Sequence, residues 1–418
     1  MDFGKYKSSY SKVCERMKKL KNRINNLWKM FFLLFLAFLT FSYAMFQGGF
    51  VSWFLFYSFL PFGLYSLIIT VYPLKNIQVE RILSHHELTA GEMLKVTIKI
   101  KAPSIIPLFY MIIEEKNSRK LNERTGKTFK FLLFPFLRRE IVHQYVIQNI
   151  PRGEYMFQGL RIQTSDFLGL TEKDYFYQVE NHFLVYPSFV NLDYRSLENR
   201  FEQGMTATRD KVQRDTSMAI GVREYQPGDR FSWINWKATA KKNEIMTKEF
   251  EQKQTHDVLL LLDREPNDRF NIMVEFAASL VRAVLRKGAL VGLLSQGLER
   301  EYFPMRGGQA QQRVLFYHLA KVEDDAKVNV ANVIENESKL LNQSVTLIII
   351  VPYVHESLIE KLSFLSLRYM NVVIFSIKRQ GTPMSDMEIR NISYAKARGI
   401  FVKVIHEGHF EEAFVGVK

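Results

Sequence analysis

Two carboxylates stand where chemistry could be done. Asp263 follows the apolar run Val258–Leu262, and Asp229 lies in a segment rich in aromatic and basic residues, 221–242. Two carboxylates that share a metal ion can activate water, which defines one reading: a metal-dependent hydrolase using Asp229 and Asp263. The spacing does not place them in one pocket. After Asp263 the chain reads Arg264-Glu265-Pro266-Asn267. Mg²⁺ or Ca²⁺ needs several oxygen ligands at ~2.0–2.6 Å, and Arg264 and Pro266 offer none. Asp263 is therefore expected to hold no metal, and no cofactor is expected. His406-Glu407-Gly408-His409 is not an H-E-x-x-H site, because its histidines are three apart and follow a strand-like run. Gly307-Gly308 is not followed by the Lys and Ser or Thr of a phosphate loop. The single cysteine, Cys14, excludes a disulfide framework and any Cys-cluster zinc site.

The segment around Asp229 offers a surface in place of a reaction centre. It reads Gly221-Val-Arg-Glu-Tyr-Gln-Pro-Gly-Asp-Arg-Phe-Ser-Trp-Ile-Asn-Trp-Lys237. Pro227-Gly228 suits the centre of a type II turn, with Pro fixing φ and Gly accepting positive φ. Asp229 is placed to cap the next turn or to pair with Arg223. Trp233 and Trp236, three apart, share one face if they lie on a helical turn. Arg223, Tyr225, Pro227, Gly228, Asp229, Trp233, Trp236 and Lys237 are the candidate partner surface. The alternative is that Tyr225, Trp233 and Trp236 pack a junction between domains.

These residues need elements to position them. From residue 256 onward apolar runs alternate with amphipathic ones. Asp257–Leu262, Leu290–Leu294, Val345–Val351, Asn371–Ile377 and Gly399–Ile405 read as buried strands. Asn271–Lys287, Ala310–Lys321, Glu356–Tyr369 and Asp386–Arg398 read as helices. This alternation predicts an α/β doubly wound domain over 256–418, whose ligands bind beyond the carboxyl ends of the strands, where Asp263 lies. Residues 76–190 instead carry short alternating runs: Ile77–Ile82, Met93–Ile100, Leu108–Glu114, Glu140–Gln148, Glu154–Phe157, Leu160–Thr164 and His182–Tyr186. Seven such runs without helical periodicity predict an antiparallel, immunoglobulin-like β-sandwich. Residues 191–255 read as a linker carrying the Asp229 segment.

The chain has 418 residues and 47% hydrophobic content, which excludes a largely disordered protein. Its net charge of +14 is concentrated. Residues 1–29 hold nine basic and two acidic residues, and residues 116–139 hold eight basic and one acidic, so the remaining chain is neutral overall. Between Lys29 and Lys75 there is no Asp, Glu, Lys, Arg or His. That stretch contains two apolar runs, Met30–Phe46 and Phe50–Tyr72, around Gln47-Gly48-Gly49. A spanning helix needs ~20 apolar residues, so 30–74 is expected to form a two-helix transmembrane hairpin with Pro61 kinking its second helix. The basic arm 1–29, with Lys75 and Arg81, is expected to set both ends of the hairpin on the cytoplasmic side of the membrane. Val13, Met17, Leu20, Ile24 and Leu27 fit either an in-plane amphipathic helix or a solvated basic tail. In the second patch Lys127, Lys130, Arg138 and Arg139 bracket a Phe-rich stretch. It suits either a loop lying on the inner leaflet or a core strand with a solvated basic hairpin. Nucleic-acid binding is the remaining option for the charge. No recognised nucleic-acid motif accompanies it, so no nucleic-acid partner is expected.

The combination R-E-Y-x-P-G-D over 223–229 and W-x-x-W-K-A-x-A-K over 233–241 resembles the bacterial "domain of unknown function 58" family. Pro151-Arg152-Gly153-Glu154-Tyr155, Ser165-Asp166-Phe167-Leu168-Gly169-Leu170 and Val185-Tyr186-Pro187 are similar to further elements of that family. Leu168 departs from the family's Asp-Pro-Phe-Gly order, and Ser232 lies where many members carry a basic residue. The resemblance implies a von Willebrand factor A-like fold after the motif. In metal-binding domains of that kind the first strand ends in D-x-S-x-S, whose serines are absent after Asp263, so the resemblance implies that Asp263 is a vestigial metal position. It also implies a MoxR-type AAA+ ATPase as partner, and in some members a transglutaminase-like membrane protein. It implies no established activity, so the expected role is that of a membrane-anchored interaction protein working in envelope-related assembly.

Overall fold

The structure, a computed structural model, describes residues 28, 31–102, 108–117, 119–126, 128–136, 138–166, 169, 171–194, 219–226, 229–250, 257–337, 345–366 and 372–414. The basic arm apart from Trp28, the expected amphipathic stretch Val13–Leu27, Lys127, and Pro227-Gly228 with their expected type II turn lie outside the described residues. The chain divides into two compact units, Met1–Tyr186 and Pro187–Lys418.

The first unit opens with two apolar helices, α1 (Phe31–Gln47) and α2 (Phe50–Val71). Gly48 and Gly49, both at positive φ, turn the chain between them, and Phe41 of α1 meets Phe56 of α2 edge-on at 5.5 Å. Among the described residues α2 is the helix long and apolar enough to cross a membrane, while α1 is shorter. Hydroxyls within the helices close on backbone carbonyls: Thr40 on Leu36 and Ala37, Ser52 on Gly48 and Gly49, Thr70 on Ser66. Such closure removes the cost of an unpaired hydroxyl in an apolar setting. α2 is continuous across Pro61.

The last turns of α2 are built into the domain that follows. Tyr65, Ser66, Ile69 and Tyr72 are buried, while Leu64 and Val71 are exposed. Ser66 Oγ donates to Asp166 Oδ2, Thr70 and Thr171 hydroxyls lie 3.3 Å apart, and Lys173 Nζ donates to the Tyr72 carbonyl at 3.0 Å. Asp166, itself buried, also accepts the Thr171 N–H at 3.1 Å and so ties its own loop to the helix. Asp166→Ala strands two buried donors and is expected to cost about 1–3 kcal/mol. Limited proteolysis near the helix end reads it out: cleavage should quicken in Asp166→Ala and much less in Asp166→Asn.

Two sheets then face each other over a shared core. One has the order β1 (Gln78–Leu83), β3 (Leu94–Lys101), β6 (Glu140–Ile147), all antiparallel. The other has the order β2 (Glu87–Thr89), β9 (Asn181–Tyr186), β7 (Gly153–Ser165), β4 (Met111–Asn117), β5 (Lys130–Leu133), with β8 (Glu172–Tyr177) also on β7. Val96, Ile98 and Ile100 of one sheet and Ile113, Phe157, Ile162 and Phe183 of the other belong to the same buried cluster.

The expected all-antiparallel sheet needs one correction, because β2 pairs with β9 in parallel. The chain changes sheet over Ser84-His85-His86 and lands on the edge beside β9. A helix also appears where none was expected, α3 (Arg119–Thr125), with Leu121 buried. The two expected strands 154–157 and 160–164 are one bent strand, β7. Its first half pairs with β9 and its second with β8. Gly159 marks the bend: a Cβ there would lie inside contact distance of the Tyr177 carbonyl and 2.6 Å from the Phe176 ring. Gly159→Ala is expected to lower stability by about 1–3 kcal/mol, with faster amide exchange in β8 than in β3 as the readout.

Arg81 does not serve as an exposed flanking charge. Its guanidinium is buried between the sheets, bonded through Nη2 to Glu115 Oε2 at 2.6 Å and through Nη1 to the Val179 carbonyl at 2.6 Å. Lys75 remains exposed beside the helix.

The second unit begins with residues 187–194, which lie against its helices. Val190 N–H donates to Ser279 Oγ at 2.9 Å, and Arg282 stacks over Phe189 at 4.3 Å. A two-stranded antiparallel hairpin, β10 (Ala219–Glu224) and β11 (Met246–Phe250), carries α4 (Trp236–Lys242) between its strands. The main sheet has the order β14 (Arg300–Arg306), β13 (Val291–Gln296), β12 (Val258–Leu262), β15 (Thr346–Val351), β16 (Val372–Lys378), β17 (Phe401–His406). All its pairs are parallel except β13–β14. Strands β12, β15 and β16 are buried throughout, as strands covered on both faces must be. Helices α7 (Val330–Asn336), α8 (Glu356–Ser366) and α9 (Asp386–Ala397) pack with Leu259, Leu261, Leu347, Ile349 and Ile374. On the opposite face Phe276 of α5 (Phe270–Arg286) meets Phe375, and α6 (Gly308–Lys321) runs beside α5. The sheet is therefore doubly wound.

Candidate functional site

The segment around Asp229 forms a small structured excursion from the β10–β11 hairpin. Asp229 N–H donates to the Gln226 carbonyl at 3.0 Å. Its carboxylate accepts Arg223 Nη2 at 2.7 Å and the Gln226 N–H at 3.1 Å. Asp229 thus pairs with Arg223, one of the two roles expected of it, while its other oxygen reaches back to Gln226 rather than forward to the next turn. A short 3-10 turn, Phe231–Trp233, follows, and then Ile234 is extended (ψ 130°), buried, and bridged to Thr247. Asn235 caps α4 by accepting the Ala238 N–H at 3.2 Å.

The expectation that Trp233 and Trp236 share a helical face is therefore corrected. The buried Ile234 breaks the turn, so Trp233 closes the 3-10 element and Trp236 opens α4. Trp236 is 69% exposed, Phe231 77% exposed and Lys237 exposed, while Tyr225 and Trp233 are half-buried. Arg230 lies 5.5 Å from the Trp233 ring, and Tyr225 stacks on Phe231. Large exposed rings beside Lys237, Lys241 and Lys242 make a surface suited to an acidic, aromatic-accepting partner. Thr239 and Asn235 are structural residues the sequence reading passed over. Thr239 Oγ1 donates to the Asn235 carbonyl and accepts the Met246 N–H at 3.0 Å, pinning α4 to β11. The Asn two residues beyond a 3-10 turn is the signal that would have found the cap.

Asp263 is placed at the carboxyl end of β12, where the strand order reverses between β12 and β15. That is where open α/β sheets bind ligands. It is 7% exposed, its Oδ1 accepts the Glu265 N–H at 3.0 Å, and burial pushes its carboxyl up from 3.8 to about 6, with the Glu265 charge adding to the shift. The positions held by serines in D-x-S-x-S carry Glu265 and Asn267. Asn267 is committed to its own loop, donating to the Glu265 carbonyl and accepting the Arg269 N–H at 3.0 Å. Glu265 Oε1 is buried without a hydrogen-bond partner. Among the described residues no three His, Cys, Asp or Glu side chains converge as a metal cage.

Two buried arginines follow Asp263 in the chain, and neither was singled out in the sequence as functional. Arg264 binds Asp325 at 2.6 Å, the Glu323 carbonyl at 2.9 Å and Ser295 at 3.1 Å. Arg269 donates to the Pro352 carbonyl at 3.0 Å and to the Tyr353 hydroxyl at 2.8 Å, with its guanidinium 4.2 Å from the Tyr353 ring. They brace the strand ends.

In the first unit Lys130 lies on β5, and Arg138 and Arg139 precede β6; all three are exposed. Leu132, Phe134 and Phe136 beside them are each more than half exposed, whereas Phe129 is buried and Phe131 packs against the core.

The family model described as "Protein of unknown function DUF58" matches residues 221–382, the span that holds both the Asp229 hairpin and the Asp263 crevice. An uncharacterized protein of Bacillus subtilis (strain 168), YeaD, is 40% identical over 302 residues, which cover 72% of this chain and 76% of YeaD. The chain belongs to the DUF58 family. Among solved structures, a CARDB domain from Pyrococcus furiosus covers 26% of this chain and 92% of its own at 10% identity, with a TM-score of 0.20. The sporulation control protein Spo0M of Bacillus subtilis covers 26% of this chain and 49% of its own at 12% identity, with a TM-score of 0.15. Likeness at that level carries no argument about this DUF58 chain. Two upstream elements that resemble DUF58 sequences act as fasteners. Tyr155 of the first donates its hydroxyl to the Pro151 carbonyl at 2.8 Å, and Asp166 of the second holds α2.

Proposed function

We propose that this DUF58 chain is a membrane-anchored adaptor whose soluble units face the cytoplasm. The reading rests on one observation above all. An uncharged 22-residue helix, α2, with exposed apolar side chains along most of its length, ends inside the core of the β-sandwich. Phe50, Phe54, Tyr57 and Leu60 have no counterpart to cover them within the described residues of the first unit, and lipid is the solvent that suits them. α1 adds a second, shorter crossing and completes a hairpin. The excess of Lys and Arg before α1, with Lys75 after α2, supports the cytoplasmic side for both ends.

The doubly wound sheet with one antiparallel edge strand supports a von Willebrand factor A-like domain. Such a domain presents a recognition surface, and the exposed Phe231, Trp236 and Lys237 give this one a place to recruit a partner. By family resemblance the partner is a MoxR-type AAA+ ATPase, with a transglutaminase-like membrane protein as a further member of the assembly. In intact spheroplasts external protease should leave the soluble units whole; their digestion there would overturn the orientation. The ATPase should accompany the detergent-solubilised chain and be lost from Trp236→Ala/Lys237→Glu. Equal recovery with both chains would remove the partner surface from this segment.

A further inference from the structure

We propose that Leu132, Phe134 and Phe136 enter the leaflet that α2 leaves, with Lys130, Arg138 and Arg139 against the headgroups of anionic lipid. The inference rests on the reading of α2 as a membrane span, and the depth of its attachment carries it. α2 has 22 residues, about 33 Å at 1.5 Å each, which closely matches ~30 Å of hydrocarbon. Tyr65 lies six residues before the helix end at Val71, so it sits about 9 Å inside that end. Yet Tyr65 already touches the sandwich. Its hydroxyl accepts the Phe109 N–H at 3.3 Å, and its ring meets Phe109 edge-on at 4.8 Å. Phe109 meets Phe136 at 6.1 Å, and Phe136 stacks with Phe134 at 6.4 Å. A chain of rings therefore links a point on the helix that lies below the headgroups to the rim of the β-domain. Elements that lie in the interface are typically ~5–10 Å deep, the level at which Tyr65 takes hold of the domain.

Three further observations agree. Phe134 and Phe136 are 60% and 55% exposed, although the sandwich core is adjacent. Phe136 has φ 50°, a conformation that side chains rarely adopt, and its N–H donates to the Leu108 carbonyl at 2.9 Å while its ring stays exposed. The exposed face of α2 remains apolar down to Leu64 and Val71, so lipid reaches the same level on the helix's other side. The basic residues then stand at the headgroup plane, where each Lys or Arg is attracted by anionic lipid.

The test uses the full chain with Cys14→Ser, since Cys14 is the chain's one cysteine. Single nitroxide labels go at Phe134→Cys, Leu60→Cys and Met93→Cys, in nanodiscs of phosphatidylcholine with phosphatidylglycerol. Leu60 is an exposed position midway along α2, and Met93 precedes β3 at the end away from the Gln78–Lys101 pair that adjoins the helix. The Phe134→Cys label should collide with oxygen and be shielded from an aqueous nickel complex, as the Leu60→Cys label is; the Met93→Cys label should show the reverse. Adding Arg138→Gln and Arg139→Gln should move the position-134 label toward water. A nickel-accessible label at 134 with a lipid-exposed label at 60 overturns the docking and leaves the span intact. A nickel-accessible label at 60 overturns both. A label at 134 shielded from oxygen and nickel alike means protein covers the rim, and overturns lipid as its occupant. Leu132→Cys repeats the comparison at a second site on the same rim.

Discussion

Glu115→Leu alone is expected to destabilise the β-sandwich by about 3–5 kcal/mol, because it leaves the Arg81 guanidinium charged and unpaired between two sheets. Both side chains are fully buried. Arg81 on β1 reaches Glu115 on β4 through Nε and Nη2, at 3.2 and 2.6 Å, and Tyr145 on β6 donates its hydroxyl to Glu115 Oε1 at 2.8 Å. Arg81 also donates to Asn181 Oδ1 at 3.1 Å and lies 4.7 Å from the Phe157 ring. Strands β1 and β6 of one sheet and β4, β7 and β9 of the other thus meet at the pair, which is why it orients one sheet on the other. It does not follow that the pair stabilises the fold relative to an apolar core. Burial outweighs the field of Arg81 and pushes the Glu115 carboxyl above its ordinary value. Arg81→Met/Glu115→Leu should therefore recover most of the loss, leaving Tyr145 and Asn181 to find other partners. Amide exchange in β3 and β6 of detergent-solubilised protein checks this. Equal protection in the single and double variants would show that the damage is steric rather than electrostatic.

How much of this was legible in the sequence depends on how each element meets water. β12, β15 and β16 stand out as unbroken apolar runs because helices cover both faces of the sheet. β14 was missed because it is an exposed edge strand, Arg300-Glu-Tyr-Phe-Pro-Met-Arg306, whose charges and proline read as loop. α7 was missed because seven residues are too few to show a period. The two runs 154–157 and 160–164 read as separate because a glycine in a strand carries no side-chain signal of its own; in the structure Gly159 admits β8 to the same strand. The Arg223–Asp229 pair was legible because both residues belong to one short segment. The Arg81–Glu115 and Arg264–Asp325 pairs were not, since 34 and 61 residues separate the partners and only the folded topology brings them together. The tryptophan pair failed for a local reason: burial of Ile234 outweighs the helical spacing of its neighbours.

The Asp263 carboxylate is the place where one atom's chemistry should be most visible in stability. Its folded value, about 6, stands above the 3.8 of an unperturbed group. Between those values the folded chain holds a proton that the unfolded chain releases, so stability is full below pH 4 and falls as the pH rises through 6. At 1.36 kcal/mol per unit, the loss is at most about 3 kcal/mol for this site. The first cause is burial at the end of β12, and the neighbouring Glu265 charge adds to it. Arg264 and Arg269 stand nearby in sequence but spend their donors on Asp325, Ser295, Pro352 and Tyr353. Asp263→Asn keeps an oxygen for the Glu265 N–H and removes the charge. It should stabilise the second unit by about 2–3 kcal/mol at pH 7, change little at pH 4, and flatten the profile between them. Thermal unfolding of the solubilised chain across that range, followed through amide exchange in β12 and β15, measures it. A parent profile already flat between pH 4 and 7 would mean that Asp263 ionises freely. In that case a counter-charge or a bound cation, rather than desolvation, would govern the crevice.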